Sequence, residues 1–137
     1  METIVVGYDD TEAAVRALDR SIELAEAFGA KLIVTSVAPV LVPTSHGVGA
    51  IDPTETPADH EAQLDRARGR LADRAVQAEF RPALGEPAEA IVAVAEESGA
   101  DLIVVGTREP NFVQRLLGQS VSQAVSRHAS CDVLIVH

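Results

Sequence analysis

The chain has 137 residues, of which 47% are hydrophobic and 23% charged, the size and balance of one globular domain rather than of a disordered segment. Asp and Glu number 21 against 11 basic residues, a net charge of −10, and a field of that sign repels nucleic acid and anionic membranes. Cys131 is the only cysteine, which excludes an internal disulfide and a multi-thiolate metal site.

The longest apolar runs fall far short of the ~20 residues that span a bilayer. The first residues, Met-Glu-Thr, carry no basic, apolar leader pattern, and the expected location is cytoplasmic. Lys31 is the only Lys beside ten Arg, and Ala is abundant. That composition fits either a salt-adapted cytoplasm or a GC-rich genome, and neither bears on activity.

Strand and helix signals alternate along the chain. Thr3 to Gly7 is a short β-branched run, read as a strand. Thr11 to Phe28 places Ala14, Leu18, Ile22 and Ala25 at helical spacing, and Gly29 stands where a left-handed C-terminal cap belongs. Leu32-Ile33-Val34 begins a second strand. Residues 38–57 hold four of the seven prolines with Gly47 and Gly49, which predicts a long structureless loop. Ala58 to Arg74 reads as the second helix, and Val76, Ala78 and Phe80 alternate as the third strand. Pro87 opens a third helix that runs to Ser98. Leu102 to Val105 is the fourth strand, Ser120 to His128 the fourth helix, and Val133 to Val136 the closing strand.

Ala25 to Val34 and Ala95 to Val104 both read A-E-x-x-G-A-x-L-I-V, one helix–Gly–strand solution used twice. Apolar strands without alternation fit a parallel sheet covered on both faces. The predicted fold is therefore α/β: one domain over 1–137, with an open, doubly wound parallel sheet. Such sheets bind ligands at the carboxyl ends of their strands, near the switch in strand order.

Three carboxyl-end segments are candidates. Gly7-Tyr8-Asp9-Asp10-Thr11 follows the first strand. Asp9 can accept hydrogen bonds from a sugar or base, while Asp10 or Thr11 can cap the next helix. The end of the second strand, at Ser36-Val37-Ala38, offers backbone groups. The third segment runs from Val105 to Ser122, where a strand ends at Gly106 and Gly118-Gln119-Ser120-Val121-Ser122 opens a helix, an arrangement suited to anions. Residues 1–101 hold 19 acids and 8 basic residues, whereas 102–137 hold 2 acids and 3 Arg, so the acid excess is absent where a phosphate would sit.

No catalytic constellation and no metal site emerge. His46, His60, His128 and His137 are not spaced as metal pairs, and Cys131 reads as a structural thiol. There is no G-x-S-x-G elbow and no P-loop.

Four segments in order resemble the universal stress protein family along the whole chain. Ile4 to Thr11 is similar to its first strand and Asp-Gly-Ser turn. Gly85-Glu86-Pro87-Ala88-Glu89-Ala90-Ile91 resembles its Gly-x-Pro-x-x-x-Ile helix start. Ala100 to Arg108 resembles its fourth strand, and Leu116 to Ser122 the opening of its last helix. The resemblance implies five parallel strands, four helices and a homodimer whose closing strands, Asp132 to Val136, meet across a two-fold axis. It also implies ATP or AMP as a ligand, with Mg²⁺ if ATP.

Nucleotide-binding members resemble the pattern G-x-x-G-x(9)-G-[ST]. Gly106 matches the first glycine and Ser120 the hydroxyl, but the second and third glycines fall on Glu109 and Gln119, with Gly118 one place early. By the same resemblance Asp9 and Val37 match base and ribose contacts, and Ser120 and Val121 match phosphate contacts. Val105, Gly106, Arg108, Gly118 and Gln119 complete the candidate nucleotide-binding set. Side chains at 109 and 119 crowd a path that glycine leaves open. The Glu109 charge at ~4 Å from a phosphate costs about 1–4 kcal/mol, or roughly one to three decades of affinity. AMP or another small nucleotide suffers less than ATP.

Two functions follow. The first is a non-enzymatic dimeric stress-response module that acts through contacts with an unidentified protein partner, its nucleotide binding weak or altered. The second is an ATP- or AMP-binding regulatory switch with at most very slow hydrolysis. An enzyme on a related nucleotide-binding α/β fold is a third class, and it lacks a candidate base or nucleophile.

Overall fold

The computed structural model describes residues 1–38, 43–44, 47–48, 57–107 and 121–137. In chain order the elements are β1 (Thr3–Gly7), α1 (Glu12–Phe28), β2 (Lys31–Ala38), β3 (Pro43–Thr44), β4 (Gly47–Val48), α2 (Pro57–Leu71), β5 (Ala78–Leu84), α3 (Pro87–Ser98), β6 (Leu102–Gly106), α4 (Val121–His128) and β7 (Asp132–Val136). Five of the strands form one sheet in the order β5-β2-β1-β6-β7, and every pair in it is parallel. The chain steps outward from β1 to β2 and β5, then returns past β1 to β6 and β7. With one crossover handedness, that reversal puts the helices of the two halves on opposite faces. α1 and α2 cover one face, α3 and α4 the other.

β1 lies at the centre, and its Ile4, Val5 and Val6 are completely buried. Ile4 and Val6 join Leu32, Val34, Leu102 and Val104 beneath α1 and α2. Val5 joins Ile33, Ile103 and Val105 beneath α3 and α4. Both faces of each inner strand are therefore apolar, which is why these runs show no polar alternation.

The repeated segment flanks β1 on both sides. Gly29 and Gly99 take left-handed backbones at φ 66° and 65°. The next residues close the same helix-ending bond: Ala30 N–H donates to Ala25 O at 3.0 Å, and Ala100 N–H to Ala95 O at 2.9 Å. Lys31 N–H then donates to Glu2 O at 2.8 Å, and Asp101 N–H to Thr3 O at 2.9 Å. Both copies thus enter the sheet in the same register, with Leu32 and Leu102 opposite Ile4.

Some boundaries differ from the sequence reading. β5 begins at Ala78 rather than Val76, although Val76, Ala78 and Phe80 all pack on the α1–α2 core. α2 ends at Leu71 rather than Arg74, where Arg74 N–H donates to Leu71 O in a turn. The predicted structureless loop contains an antiparallel pair, Pro43 opposite Val48 and Thr44 opposite Gly47. Strands of two residues carry no periodicity, and Pro is tolerated where a strand has a free outer side. α3 is capped by Glu86, whose carboxylate accepts from Ala88 N–H at 3.3 Å and Glu89 N–H at 2.9 Å. Pro87 at the first helical position was legible, but its capping partner was not.

Thr35 is completely buried on β2, and its hydroxyl finds no hydrogen-bond partner among the described residues. Leaving a buried hydroxyl unmade costs about 1–3 kcal/mol. Thr35→Val keeps the shape and removes the group. Urea unfolding should show a raised or unchanged midpoint at constant slope; a lowered midpoint would mean that the hydroxyl is satisfied.

Candidate functional site

The carboxyl ends of β1, β2 and β6 lie side by side, because β1 pairs with both neighbours in parallel. Gly7 stands opposite Thr35, and Tyr8 N–H continues the ladder to Thr35 O at 2.9 Å. The chain then turns into α1. Asp9 Oδ1 accepts from Thr11 Oγ1 at 2.6 Å and from Thr11 N–H at 3.2 Å. Thr11 Oγ1 in turn accepts from Ala14 N–H at 3.1 Å. Thr11 is therefore the helix cap, and the Asp9 carboxylate fixes which way its hydroxyl points.

Asp10 is not the cap. It takes a left-handed backbone at φ 64°, the conformation that glycine adopts without cost in such a turn. Its carboxylate accepts from Arg66 of α2, with Arg66 Nε 2.7 Å from Oδ2. The Tyr8 phenol lies close enough to Asp10 for each group to shift the titration of the other. Burial first, and then this carboxylate, push the Tyr8 phenol up to about 12. Asp10 is held below the usual carboxylate range: desolvation opposes the shift, but the Arg66 and Tyr8 hydrogen bonds outweigh it.

Gly106 ends β6 hard against α1. A β-carbon there would lie 2.5 Å from the backbone carbon and oxygen of Ala13, so this glycine is required by packing whatever binds nearby. Val105, just before it, is buried on the α3–α4 side. Thr107 N–H donates to Val136 O at 2.9 Å, which ties the start of the third candidate segment to the end of β7. Val37 sits near the carboxyl end of β2, and Val121 opens α4.

The structure thus brings Asp9, Val37, Val105, Gly106 and Val121 to one end of the sheet. Arg108, Gly118, Gln119 and Ser120, with Glu109, lie outside the described residues, as does His46. Arg66 and Tyr8 were missed by sequence reasoning. An arginine 56 residues away on another helix carries no local signal, although Asp10 in a turn that resembles Asp-Gly-Ser was a hint that something must hold it.

Chemistry elsewhere is sparse. A hollow of about 260 Å³ lies at the opposite, amino end of the sheet, lined by residues that include Val92, Glu96, Gly99, Ile103, Ser130 and Cys131. Burial, with Asp132 beside it, pushes the Cys131 thiol up, away from thiolate character. Among the described residues no group of three His, Cys, Asp or Glu is placed to hold a metal, and no helix is long and apolar enough to cross a membrane.

The model of the universal stress protein family matches residues 1–137. The universal stress protein Rv1636 of Mycobacterium tuberculosis is 38% identical over 147 aligned positions, which cover 99% of this chain and 96% of that protein. The universal stress protein YxiE of Bacillus subtilis is 33% identical, with 97% of each chain covered. Among solved structures, a universal stress protein in complex with cAMP superposes with a TM-score of 0.77 at 36% identity, over 99% of this chain and 96% of its own.

Proposed function

The chain belongs to the universal stress protein family, and from that premise we propose that it is a non-enzymatic, cytoplasmic regulatory module that binds an adenine nucleotide carrying one phosphate. The observation that carries this reading is the neighbour in complex with cAMP, alike over 99% of this chain at 36% identity. The gathering of Asp9, Val37 and Gly106 at the carboxyl ends of β1, β2 and β6 supports it, because that is where open α/β sheets take their ligands. Asp9 and Val37 serve the base and ribose, and Ser120 and Val121 serve the phosphate.

The choice of nucleotide rests on charge and room. Glu109 and Gln119 stand where nucleotide-binding relatives resemble a glycine pattern. Cyclic AMP carries a single phosphodiester charge and ATP several, so repulsion by Glu109 and by the net charge of −10 grows steeply from one to the other. Occupancy by a small nucleotide would then alter contacts with a protein partner.

The same reading makes the module a homodimer through β7. The two sheet edges differ in a way that supports it. β5 carries Glu79 bridged to Lys31 at 2.9 Å and to Arg81 at 2.8 Å, and Pro82 removes a backbone donor; both are devices that discourage strand pairing. β7 instead presents Val133, Leu134, Ile135 and Val136, all only half-buried, an apolar edge that needs covering.

Isothermal titration of AMP, cyclic AMP and MgATP into dialysed protein, at low and at molar KCl, tests the ligand. AMP and cyclic AMP should bind once per chain, and ATP at least about tenfold more weakly. Glu109→Gly with Gln119→Gly should narrow that gap, and Asp9→Ala should weaken AMP. Tighter binding of ATP, or no heat from any of the three, would defeat the reading. For the dimer, sedimentation equilibrium should give twice the chain mass for the wild type and the single-chain mass for folded Ile135→Lys. A monomeric wild type would remove β7 as the interface.

A further inference from the structure

Asp10 is the only residue other than glycine with a positive φ among the described residues. A side chain disfavours that conformation relative to glycine, so the surroundings that hold the turn matter. The Arg66 guanidinium reaches the Asp10 carboxylate through Nε and a second N–H, both on Oδ2, and the Tyr8 phenol lies close enough to shift the titration of that carboxylate. Tyr8 belongs to the same turn and is buried. Arg66 comes from α2, at the other end of a long connection.

Arg66 is one of three arginines spaced four apart. Arg70 pairs with Asp19 of α1 at 3.5 Å, and Arg74, just past the end of α2, pairs with Glu26 of α1. All three face acids of the same helix or its leading turn. Arg70 and Arg74 grip the body of α1, whereas Arg66 grips the residue between Asp9 and Thr11. The Asp9 carboxylate is oriented by that turn, through its two bonds from Thr11.

We propose that Arg66 is a positioning residue for the nucleotide site: it holds Asp10 from α2 and so keeps Asp9 aimed at the ligand. The proposal rests on the nucleotide reading given above. It also links α2 to the turn that carries Asp9, since the Arg66–Asp10 pair joins the two. A glycine at position 10 would need no such pin, because glycine takes the left-handed backbone unaided.

Arg66→Ala, Arg66→Lys and Arg70→Ala, compared with the wild type, test it in two ways. The first is AMP titration. Arg66→Ala should weaken AMP about three- to fivefold, the scale of one partly exposed ion pair. Arg66→Lys should restore binding to within about twofold, and Arg70→Ala should leave it unchanged. The second needs no ligand. Tyr8 is the only tyrosine and there is no tryptophan, so phenolate absorbance reports this turn alone.

The direction of the change is diagnostic. Arg66 and Arg70 by themselves lower the Tyr8 pKa, whereas the Asp10 hydrogen bond raises it. If Arg66 acted only as a nearby charge, Arg66→Ala would move the Tyr8 titration upward. If it pins Asp10, the freed carboxylate leaves and the titration falls below about 12, while burial, the larger cause, still holds it above the ordinary phenol value, with circular dichroism showing the chain still folded. A fall supports the proposal; no change or a rise overturns it. Equal losses of AMP affinity in Arg66→Ala and Arg70→Ala would also overturn it. If the wild type takes no AMP at all, the nucleotide reading fails, and the tyrosine titration still decides whether Arg66 holds the turn.

Discussion

The pairing of β1 with a neighbour on each side fixes nearly everything else. Ile4 lies between Leu32 and Leu102, with helices packed over both faces of the strand. Since every pair is parallel, all the carboxyl ends come to one edge of the sheet. The turn after β1 therefore lies between the end of β2 and the end of β6. Gly106 tightens this further, since it lets β6 end in contact with the Ala13 backbone. A bulkier residue there would push apart the two elements that flank the candidate site.

The polar chemistry at that end is organised around one turn. Asp9 orients the Thr11 hydroxyl, which caps α1, while Asp10 gathers Tyr8 and Arg66. Helix cap, candidate ligand group and the ion pair to α2 thus occupy three consecutive residues. The base of the third candidate segment is tied elsewhere, by Thr107 to the last strand. The candidate site and the apolar β7 edge are consequently joined through the hydrogen bond from Thr107 to Val136.

The fold was largely legible because its signals are local or repeated. Continuous Leu, Ile and Val marked the inner strands. The doubled A-E-x-x-G-A-x-L-I-V marked both helix ends, and the two left-handed glycines lie where the sequence required them. The end of α2 at Leu71 was less clear, because a backbone turn closes it, and the Glu86 cap was not legible although the start of α3 at Pro87 was. The β3–β4 pair was invisible, because its strands are too short for any period. At the candidate site, the placement of Asp9 and Gly106 at the carboxyl end of the sheet was legible from the segments around them. Arg66 was not, because its partner is fixed by how α2 packs on α1 rather than by any spacing in the chain. Gly106 carried a second reason, close contact with Ala13, that only three dimensions supply.

The proposed ligand is a small adenine nucleotide at the carboxyl edge of the sheet. Amide chemical-shift mapping of the isotope-labelled protein with AMP tests it most directly. The largest changes should fall at Tyr8 to Thr11, Val37 to Ala38 and Val105 to Thr107. Changes confined to the opposite edge, at Gly29 to Lys31, Gly99 to Asp101 and Cys131, or no changes at saturating AMP, would contradict it.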